Sequence, residues 1–554
     1  MTSVADTASH PGGQKPPAMK GGLPFIGHMI SFARNPYLFV KKVGDELGEI
    51  GQFTILGQKM VLLTGDEASA LFYRSPDEIL DQSAAYKMMT PVFGEGLVFD
   101  APIERKNEQL KMLMPALRME AMRNHSSKIV QEVEDIIADW GEQGEVELVE
   151  FMKQLTINTA SHCLLGREFR YELSEEFAAI YHDLEKGVHP LAFNFPNLPI
   201  PAFRRRDKAR VRLQELVGGI IKKRESQTEK PSDMFQTLID MEYSDGTQLT
   251  HNEITGMLIA AIFAGHHTSS GTAAWVLIEL LRNPMVLRDV RQEIDDLLGA
   301  KGEVTFQSLR EMPKLENVLK EVLRLHPPLI ILMRQVQEDI HFKNYTIQAG
   351  DMVWASPPVT HHMKNLFENP EVFDPDRYND PRCEDKNLMA YQPFGGGKHK
   401  CSGNAFAMFQ IKAIFAVLLR RFEFELVDSP SSYQDDYTQM IVQPKAPCRI
   451  RYRKRDASTF SSEYGSSREK EAEQCPFHQQ EGKAAEQAEK QSLHVEVDTV
   501  LCQGHAMCMG EAPDIFKVDD EGILHILKGP LEEADMEKVQ NAVKFCPNQA
   551  LKIK

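Results

Sequence analysis

The sequence predicts a mainly α-helical body with small β-sheets, then a linker and a small C-terminal domain of α+β type. Three observations predict it. From about residue 35 to 420 long segments keep a 3.6-residue apolar period, with short alternating runs between them. After "CRIRYRKR" large apolar residues almost vanish, from Asp456 to Ser492. Alternation resumes at "LHVEVDTVL" and continues to Lys554. The boundaries that follow are 1–455 for the body, 456–492 for the linker and 493–554 for the tail.

Each element has its own reason. "SSKIVQEVEDIIADW" and "NAFAMFQIKAIFAVLLRRF" place apolar residues at helical spacing. "EIGQFTILGQKMVLLTG" and "HFKNYTIQAGDMVWAS" are alternating runs rich in strand formers and read as peripheral strands. "HPLAFNFPNLPIPAFRRRDKAR", residues 189–210, is proline-rich and aromatic and then abruptly basic. It is either a packed connector or an exposed lid that meets lipid or an apolar substrate. The segment 456–492 is rich in Ser, Glu, Gln, Lys and Ala and cannot bury a core. As a flexible chain it would hold its ends roughly 30 to 36 Å apart. The tail is too short to carry much core, which points to stapling by metal.

Composition narrows the function. A chain of 554 residues, 42% hydrophobic, is a large globular protein, and a net charge of -17 disfavours nucleic acid as a partner. No run reaches the roughly 18 apolar residues of a membrane span, and the first residues lack the apolar core of a signal peptide. The expectation is a cytoplasmic protein without a transmembrane segment, with peripheral contact at a membrane surface as the most that 189–210 implies. The eight cysteines are Cys163, Cys383, Cys401, Cys448, Cys475, Cys502, Cys508 and Cys546. Their scatter does not read as a disulfide framework, so metal ligation or plain burial is expected.

In "FGGGKHKCSG", Phe394 to Gly403, three glycines and alternating cations precede Cys401. A phosphate loop is excluded, because Lys398 is followed by His399 and the required Gly-Lys-Ser/Thr spacing is missing. A structural thiol would need no glycines. A metal-bound thiolate gains from nearby backbone N–H groups, which glycine lets approach, and from the positive end of the helix that follows. Phe394 would shield the sulfur from water.

Phe394, Gly395, Gly397, Cys401 and Gly403 together resemble the haem-binding loop of the cytochromes P450. Three further motifs in the expected order support the resemblance. Glu321 and Arg324 in "KEVLRLHPP" share a helix face, and Arg377 in "FDPDRY" matches the second arginine of that family's structural ion-pair triad. "AGHHTS", Ala264 to Ser269, matches the oxygen-binding segment of the long apolar helix. Most members carry an acid immediately before the threonine; this chain has His267, a residue type suited to relaying protons to Thr268. With "YKMMTPVFGEGLVFDAP" and "LRLHPPLIILMR", it resembles the sterol 14α-demethylases over roughly residues 20 to 453.

That resemblance implies haem b with Cys401 as axial ligand and Tyr86, Arg334 and His399 as partners of the propionates. A lysine is usual just after "FDAP"; Lys106 and Asn107 stand there, and no propionate contact is assigned to them. It also implies three O2-dependent oxidations of the 14α-methyl of a lanosterol-like sterol, with His267 and Thr268 as the catalytic pair. The pocket walls would include Tyr86, Met88, Phe93, Ala264, Leu329, Ile331 and Met440. Relatives commonly place phenylalanine at Met88 for substrates with one methyl at C4 and leucine for two; a flexible methionine implies that 4,4-dimethyl sterols are accepted. Two other readings stay open: a P450 hydroxylating another terpenoid or a fatty acid, and a non-catalytic haem-based redox sensor, which would not need His267 and Thr268.

In the tail, "CQGHAMC" and "KFCPNQALKIK" resemble a bacterial ferredoxin cluster site in which His505 replaces the second cysteine. Cys502, Cys508 and Cys546 would hold one iron-sulfur cluster. Three thiolates favour [3Fe-4S]; [4Fe-4S] with His505 as fourth ligand is the rival, and zinc is less favoured. Cys475, beside Pro476, lies in the linker, and Cys163, Cys383 and Cys448 read as incidental thiols. No flavin or nicotinamide fingerprint occurs, so an external NAD(P)H-dependent ferredoxin reductase is implied. The tail carries eleven acidic residues against six lysines and is expected to dock on a basic face around Lys398 and Lys400.

Overall fold

The computed structural model describes residues 13–188, 192, 195–299, 302–456, 493–499, 501–519 and 522–554. The linker beyond Asp456 and Cys475 therefore lie outside the described residues. Helix dominates the body. The longest helix, His251–Arg282, is 32 residues and spans about 48 Å. It starts at a capping box, in which the Glu253 N–H donates to Thr250 Oγ1 and the Thr250 N–H to Glu253 Oε2. It ends at Asn283, ahead of Pro284. Apolar residues on nearly every side bury it at the centre, against the helices Leu148–Ala160, Pro313–Leu325 and Asn404–Arg421.

The expected strands form the rim. Strands β1 (Ile50–Ile55) and β2 (Gln58–Leu63) are antiparallel. Leu56 and Gly57, at φ 48° and 82°, make their two-residue turn, a geometry that the second position meets with glycine. With β3 (Leu80–Asp81), β5 (Leu332–Val336) and β8 (Met352–Ala355) they build a sheet of order β1-β2-β8-β5-β3. A second sheet has the order β4-β10-β9, from Gln143–Glu147, Arg449–Lys454 and Phe422–Leu426. β6 (Ile340–Phe342) pairs with β7 (Tyr345–Ile347).

Two readings need adjustment. Residues 201–210, read as part of an irregular segment, are the first turns of the helix Pro201–Glu225, with Pro201 at the position where its missing N–H costs nothing. The Gly397–Arg421 stretch, with its helix from Asn404, passes a length-and-composition test for a membrane span, but 72% of its most apolar window is buried inside the body, as in a core helix.

The triad residues meet as expected. Arg324 donates from Nε and Nη2 to the two Glu321 oxygens at 2.9 and 2.8 Å, and Arg377 Nε donates to Glu321 Oε1 at 3.0 Å. Tyr378 adds a fourth hydrogen bond to the same carboxylate, and all three triad side chains are fully buried. Arg324 also donates to the carbonyls of His361 and Pro370, which ties its helix to the segment leading to the 394–403 loop.

The tail has its own small core around Ile515, Phe516, Val539 and Ala542. β11 (Val495–Val497) pairs with β14 (Leu551–Ile553) and β12 (Phe516–Val518) with β13 (Leu524–Ile526); short helices Met507–Glu511 and Met536–Lys544 pack beside them.

Candidate active site

The 394–403 loop is drawn tight by backbone. Gly395 and Gly397 have φ of 71° and 62°, and a Cβ on Gly397 would fall on the Tyr73 carbonyl. The Cys401 N–H donates to Phe394 O at 2.9 Å, and helix Asn404–Arg421 begins three residues later. Desolvation by the loop and helices packed around it pushes the Cys401 thiol up, opposed by the Gly403 amide and the Lys400 charge, although the residue keeps one exposed face.

Facing elements show the same openings. Ala264 is exposed in the middle of the buried 251–282 helix, and Leu329 and Met440 are 39% and 47% exposed. The Val442 N–H donates to Pro328 O, and Val442 O passes close to Gly271, so the 328–331 and 440–443 segments both lie along that helix. Ile331 and Tyr86 are half-buried; Tyr86 stacks on Phe99 at 4.7 Å between ring centres, and its hydroxyl accepts from the Met333 N–H. Phe93 meets Phe263 edge-on. Met88 is 2% exposed and packs against Ala192 and Phe203, so it is shielded by the start of the 201–225 helix.

Charge gathers beside the loop on a residue that the sequence did not single out. His399 Nε2 donates to Asp77 Oδ1 at 2.5 Å, while Lys106 and Lys398 lie 3.3 and 3.4 Å from Oδ2. Asp77 is fully buried; burial works against its charge, but the His399 bond and the lysines outweigh it and hold the carboxyl well below its ordinary value. Burial, opposed by the Asp77 hydrogen bond, keeps His399 below the usual imidazole range. Buried Arg334 donates Nη1 to Phe72 O at 2.7 Å, and its Nε has no hydrogen-bond partner among the described residues.

His267 and Thr268 sit on the 251–282 helix. Thr268 Oγ1 donates to Ala264 O at 2.7 Å. His267 Nε2 lies 3.3 Å from Glu185 Oε1, and the Glu185 side chain keeps 40% exposure against 12% for His267. Burial opposes the Glu185 charge, and His267 more than compensates, leaving its pKa lowered. The adjacent His266 is different: it is buried, bonded to Thr156, and pushed well below the imidazole range by burial.

In the tail Cys502, Cys508 and Cys546 line one cavity together with Gly504, His505 and Pro547. Burial and then the other sulfurs push Cys508 up to about 12. Among the described residues no three His, Cys, Asp or Glu side chains are placed to hold a single metal ion. His505 turns to the body, where its Nε2 donates to Ser402 O at 2.9 Å.

This cysteine loop is seated on the Cys401 loop. Gln503 Nε2 donates to Lys400 O at 2.6 Å, Lys400 Nζ to Pro547 O at 3.3 Å, and Asn404 Nδ2 to Asn548 Oδ1 at 2.8 Å. Burial pushes Lys400 down to about 8, against the opposing pull of Cys546 and Cys401. Arg310 Nη2 lies 2.8 Å from Glu511 and its guanidinium 3.6 Å over the Phe545 ring, while Arg118 donates to Asp519 O. The expected basic face is thus corrected in part. Lys400 reaches the tail, but Lys398 is held by Asp77, and Arg310 and Arg118 supply the other cations.

Comparison with known proteins decides the class. A family model described as Cytochrome P450 matches residues 16–451. The chain belongs to the cytochrome P450 family. This P450 is 48% identical to a "Sterol 14alpha-demethylase" of Mycolicibacterium vanbaalenii, over 79% of this chain and 98% of that one. It is 39% identical to an "Obtusifoliol 14-alpha demethylase" of Sorghum bicolor, covering 80% and 92%, and 38% to a "Lanosterol 14-alpha demethylase" of Bos taurus, covering 80% and 89%. It is therefore a monooxygenase of the sterol 14α-demethylase branch. Residues 495–553 match the 4Fe-4S single cluster domain. Among solved structures, a retinoic-acid-bound cyanobacterial CYP120A1 superposes with a TM-score of 0.71 at 24% identity, covering 80% of this chain and all of that one, which shows the fold.

The residues fit the groups this family carries. A haem needs one axial donor, apolar walls and cationic partners for its propionates; Cys401, the openings at Ala264 and Leu329, and Arg334, whose Nε has no hydrogen-bond partner among the described residues, are groups of that kind. An iron-sulfur cluster needs thiols converging on one dry cavity, which the tail provides.

Proposed function

We propose that this P450 removes the 14α-methyl of a lanosterol-like sterol in three oxidations, with its electrons delivered by its own iron-sulfur tail. Bound at Cys401, the haem would supply oxygen activation and the oxidising power, two electrons and two protons being used in each round. The methyl passes through alcohol and aldehyde and leaves as formate, with a double bond formed in the ring. The relative of 48% identity that spans nearly its whole length supports the substrate class. The single observation that carries electron delivery is the seating of the cysteine loop on the Cys401 loop.

The chain's own residues have defined parts. Tyr86, Arg334 and His399 hold the propionates, and Asp77 orients His399 through its short hydrogen bond. Phe93, Ala264, Leu329, Ile331 and Met440 exclude water from the sterol, with Met88 packed behind them. Glu185 takes a proton from solvent and hands it to His267 Nε2, which holds it one residue from Thr268. The tail holds a [3Fe-4S] cluster on Cys502, Cys508 and Cys546, because His505 is committed to Ser402. A cytoplasmic NAD(P)H-dependent ferredoxin reductase feeds it, and the sterol is taken up at the membrane surface.

The test is turnover by the full chain with a ferredoxin reductase, NADPH and lanosterol, followed by formate and 14-demethylated product. Equal amounts of both are expected. Hydroxylated sterol without formate, or no reaction, contradicts the reading. An oxidised cluster that is paramagnetic supports [3Fe-4S]; a diamagnetic one contradicts it.

A further inference from the structure

We propose that Tyr73 is a further haem-binding residue, whose hydroxyl donates a hydrogen bond to the propionate held by Arg334. The inference rests on the reading of Arg334 as a propionate partner. It starts from two buried polar atoms with nothing to bond. The Tyr73 hydroxyl and Arg334 Nε both lack a hydrogen-bond partner among the described residues, although the two residues are only 2% and 1% exposed. A buried donor left unpaired costs free energy, so native chains seldom keep one without a use. Packing does not account for the hydroxyl. Tyr73 lies near the end of the helix Asp66–Arg74, in an apolar cluster with Leu63, Phe72, Leu80 and Val353, and meets the Phe72 ring edge-on at 5.2 Å. Phenylalanine would fill the same space, and the oxygen is all that tyrosine adds.

The ring is laid along the Cys401 loop. A Cβ on Gly396 would meet Tyr73 Cγ at 3.0 Å, and one on Gly395 would meet Cε1 at 3.7 Å. The hydroxyl end of the ring is therefore the end toward Gly395, where Leu332 Cδ1 lies 3.8 Å from the same point. Leu332 and Arg334 stand two apart on β5 and so point to one face of that strand. Arg334 in turn reaches the residue before Tyr73: its guanidinium lies 4.6 Å from the centre of the Phe72 ring, and its Nη1 donates to Phe72 O.

The donors collected here have no acceptor of their own. Burial pushes the Tyr73 phenol well up, against the opposing Arg334 charge, so it keeps its proton and donates. Tyr86 accepts from the Met333 N–H and likewise keeps its own proton to give. The nearby Asp77 carboxylate is already taken by His399, Lys106 and Lys398. Two phenols and an unpartnered guanidinium N–H therefore suit an incoming carboxylate, and the haem brings two. A Cβ on Gly397 would fall on the Tyr73 carbonyl, so the same residue meets the Cys401 loop through backbone and ring. With its hydroxyl on a propionate, Tyr73 would fix the edge of the haem relative to the loop that carries the axial sulfur.

Resonance Raman spectroscopy of the full-length, haem-loaded protein tests this without sterol or turnover, because the bending band of a propionate falls in frequency when a hydrogen bond to it is lost. Tyr73→Phe keeps the ring and removes only the oxygen. One propionate band should move down, and transfer of ferric haem to excess apomyoglobin should run about tenfold to a hundredfold faster. Faster transfer with both bands unmoved would assign Tyr73 to packing on Gly395 and Gly396 and overturn the proposal. Bands and transfer both unchanged would overturn it as well. Arg334→Gln separates the proposal from the reading beneath it. If Arg334→Gln moves no band while Tyr73→Phe moves one, the Arg334 reading fails and the Tyr73 contact stands. If Arg334→Gln moves a band and Tyr73→Phe moves none, Tyr73 alone is struck.

Discussion

His399 and Asp77, 322 residues apart in sequence, share a hydrogen bond of 2.5 Å beside the Cys401 loop, and that carboxylate also neutralises buried Lys106. Asp77→Asn should leave Lys106 buried without a counter-ion and cost about 3 to 5 kcal/mol. Denaturant unfolding of the haem-loaded protein measures the loss, and haem content should fall in parallel. An unchanged midpoint would mean that Lys106 finds another partner.

Glu185 Oε1 lies 3.3 Å from His267 Nε2, and the proposed proton relay runs through this pair. Glu185→Gln should lower formate production by about tenfold to a hundredfold while leaving sterol binding and haem reduction intact. Electrons then leak to peroxide, so the ratio of peroxide released to NADPH consumed should rise. A fall in sterol affinity without that rise would assign Glu185 to packing.

Much of this centre was legible in the sequence, and the reason is local. Glycine spacing around Cys401, the helical period of 404–421 and the order Glu321, Arg324, Arg377 are near-neighbour patterns. Asp77 and Glu185 were not legible. "SPDEIL" and "YHDLEKG" look like ordinary surface acids, and only the approach of 399 and 267 gives them a role. The uncharged contacts of the seam with the tail were not legible for a related reason. Gln503, Asn548 and Asn404 are uncharged, carry no periodic signal, and pair across more than 100 positions. Charge pattern located the basic loop, but could not tell that Lys398 is turned to Asp77 while Lys400 faces the tail.

His326, in the "LRLHPP" turn, stacks on Trp275 at 3.7 Å and lies between Glu279 and Asp435. Burial works against its charge, but Asp435 and Glu279 raise the pKa to about 9. A raised folded value stabilises fully below the unfolded value of about 6.5 and is lost as pH rises through about 9, a span worth about 3 kcal/mol at most. His326→Gln should therefore destabilise the protein near pH 6, and the difference from wild type should shrink toward pH 10. A difference independent of pH, measured by urea unfolding, would assign the loss to stacking alone.

Met88 packs against Ala192 and Phe203 behind the pocket wall. Met88→Phe places a rigid ring where a flexible chain stood, and should lower kcat/KM for lanosterol by about tenfold relative to a 4-monomethyl sterol. Competition between the two sterols in one reaction gives the ratio directly. An unchanged ratio would remove Met88 from the determinants of specificity.

The central claim is that electrons reach the Cys401-ligated haem through the chain's own cysteine loop. The most direct measurement mixes full-length protein with NADPH and a ferredoxin reductase under carbon monoxide, with no other ferredoxin present. Wild type should develop the long-wavelength carbon monoxide band of a thiolate-ligated haem. Cys546→Ser should fail to develop it until dithionite is added. A band that forms equally well in Cys546→Ser, or one at the shorter wavelength of a haem without thiolate, would contradict the account.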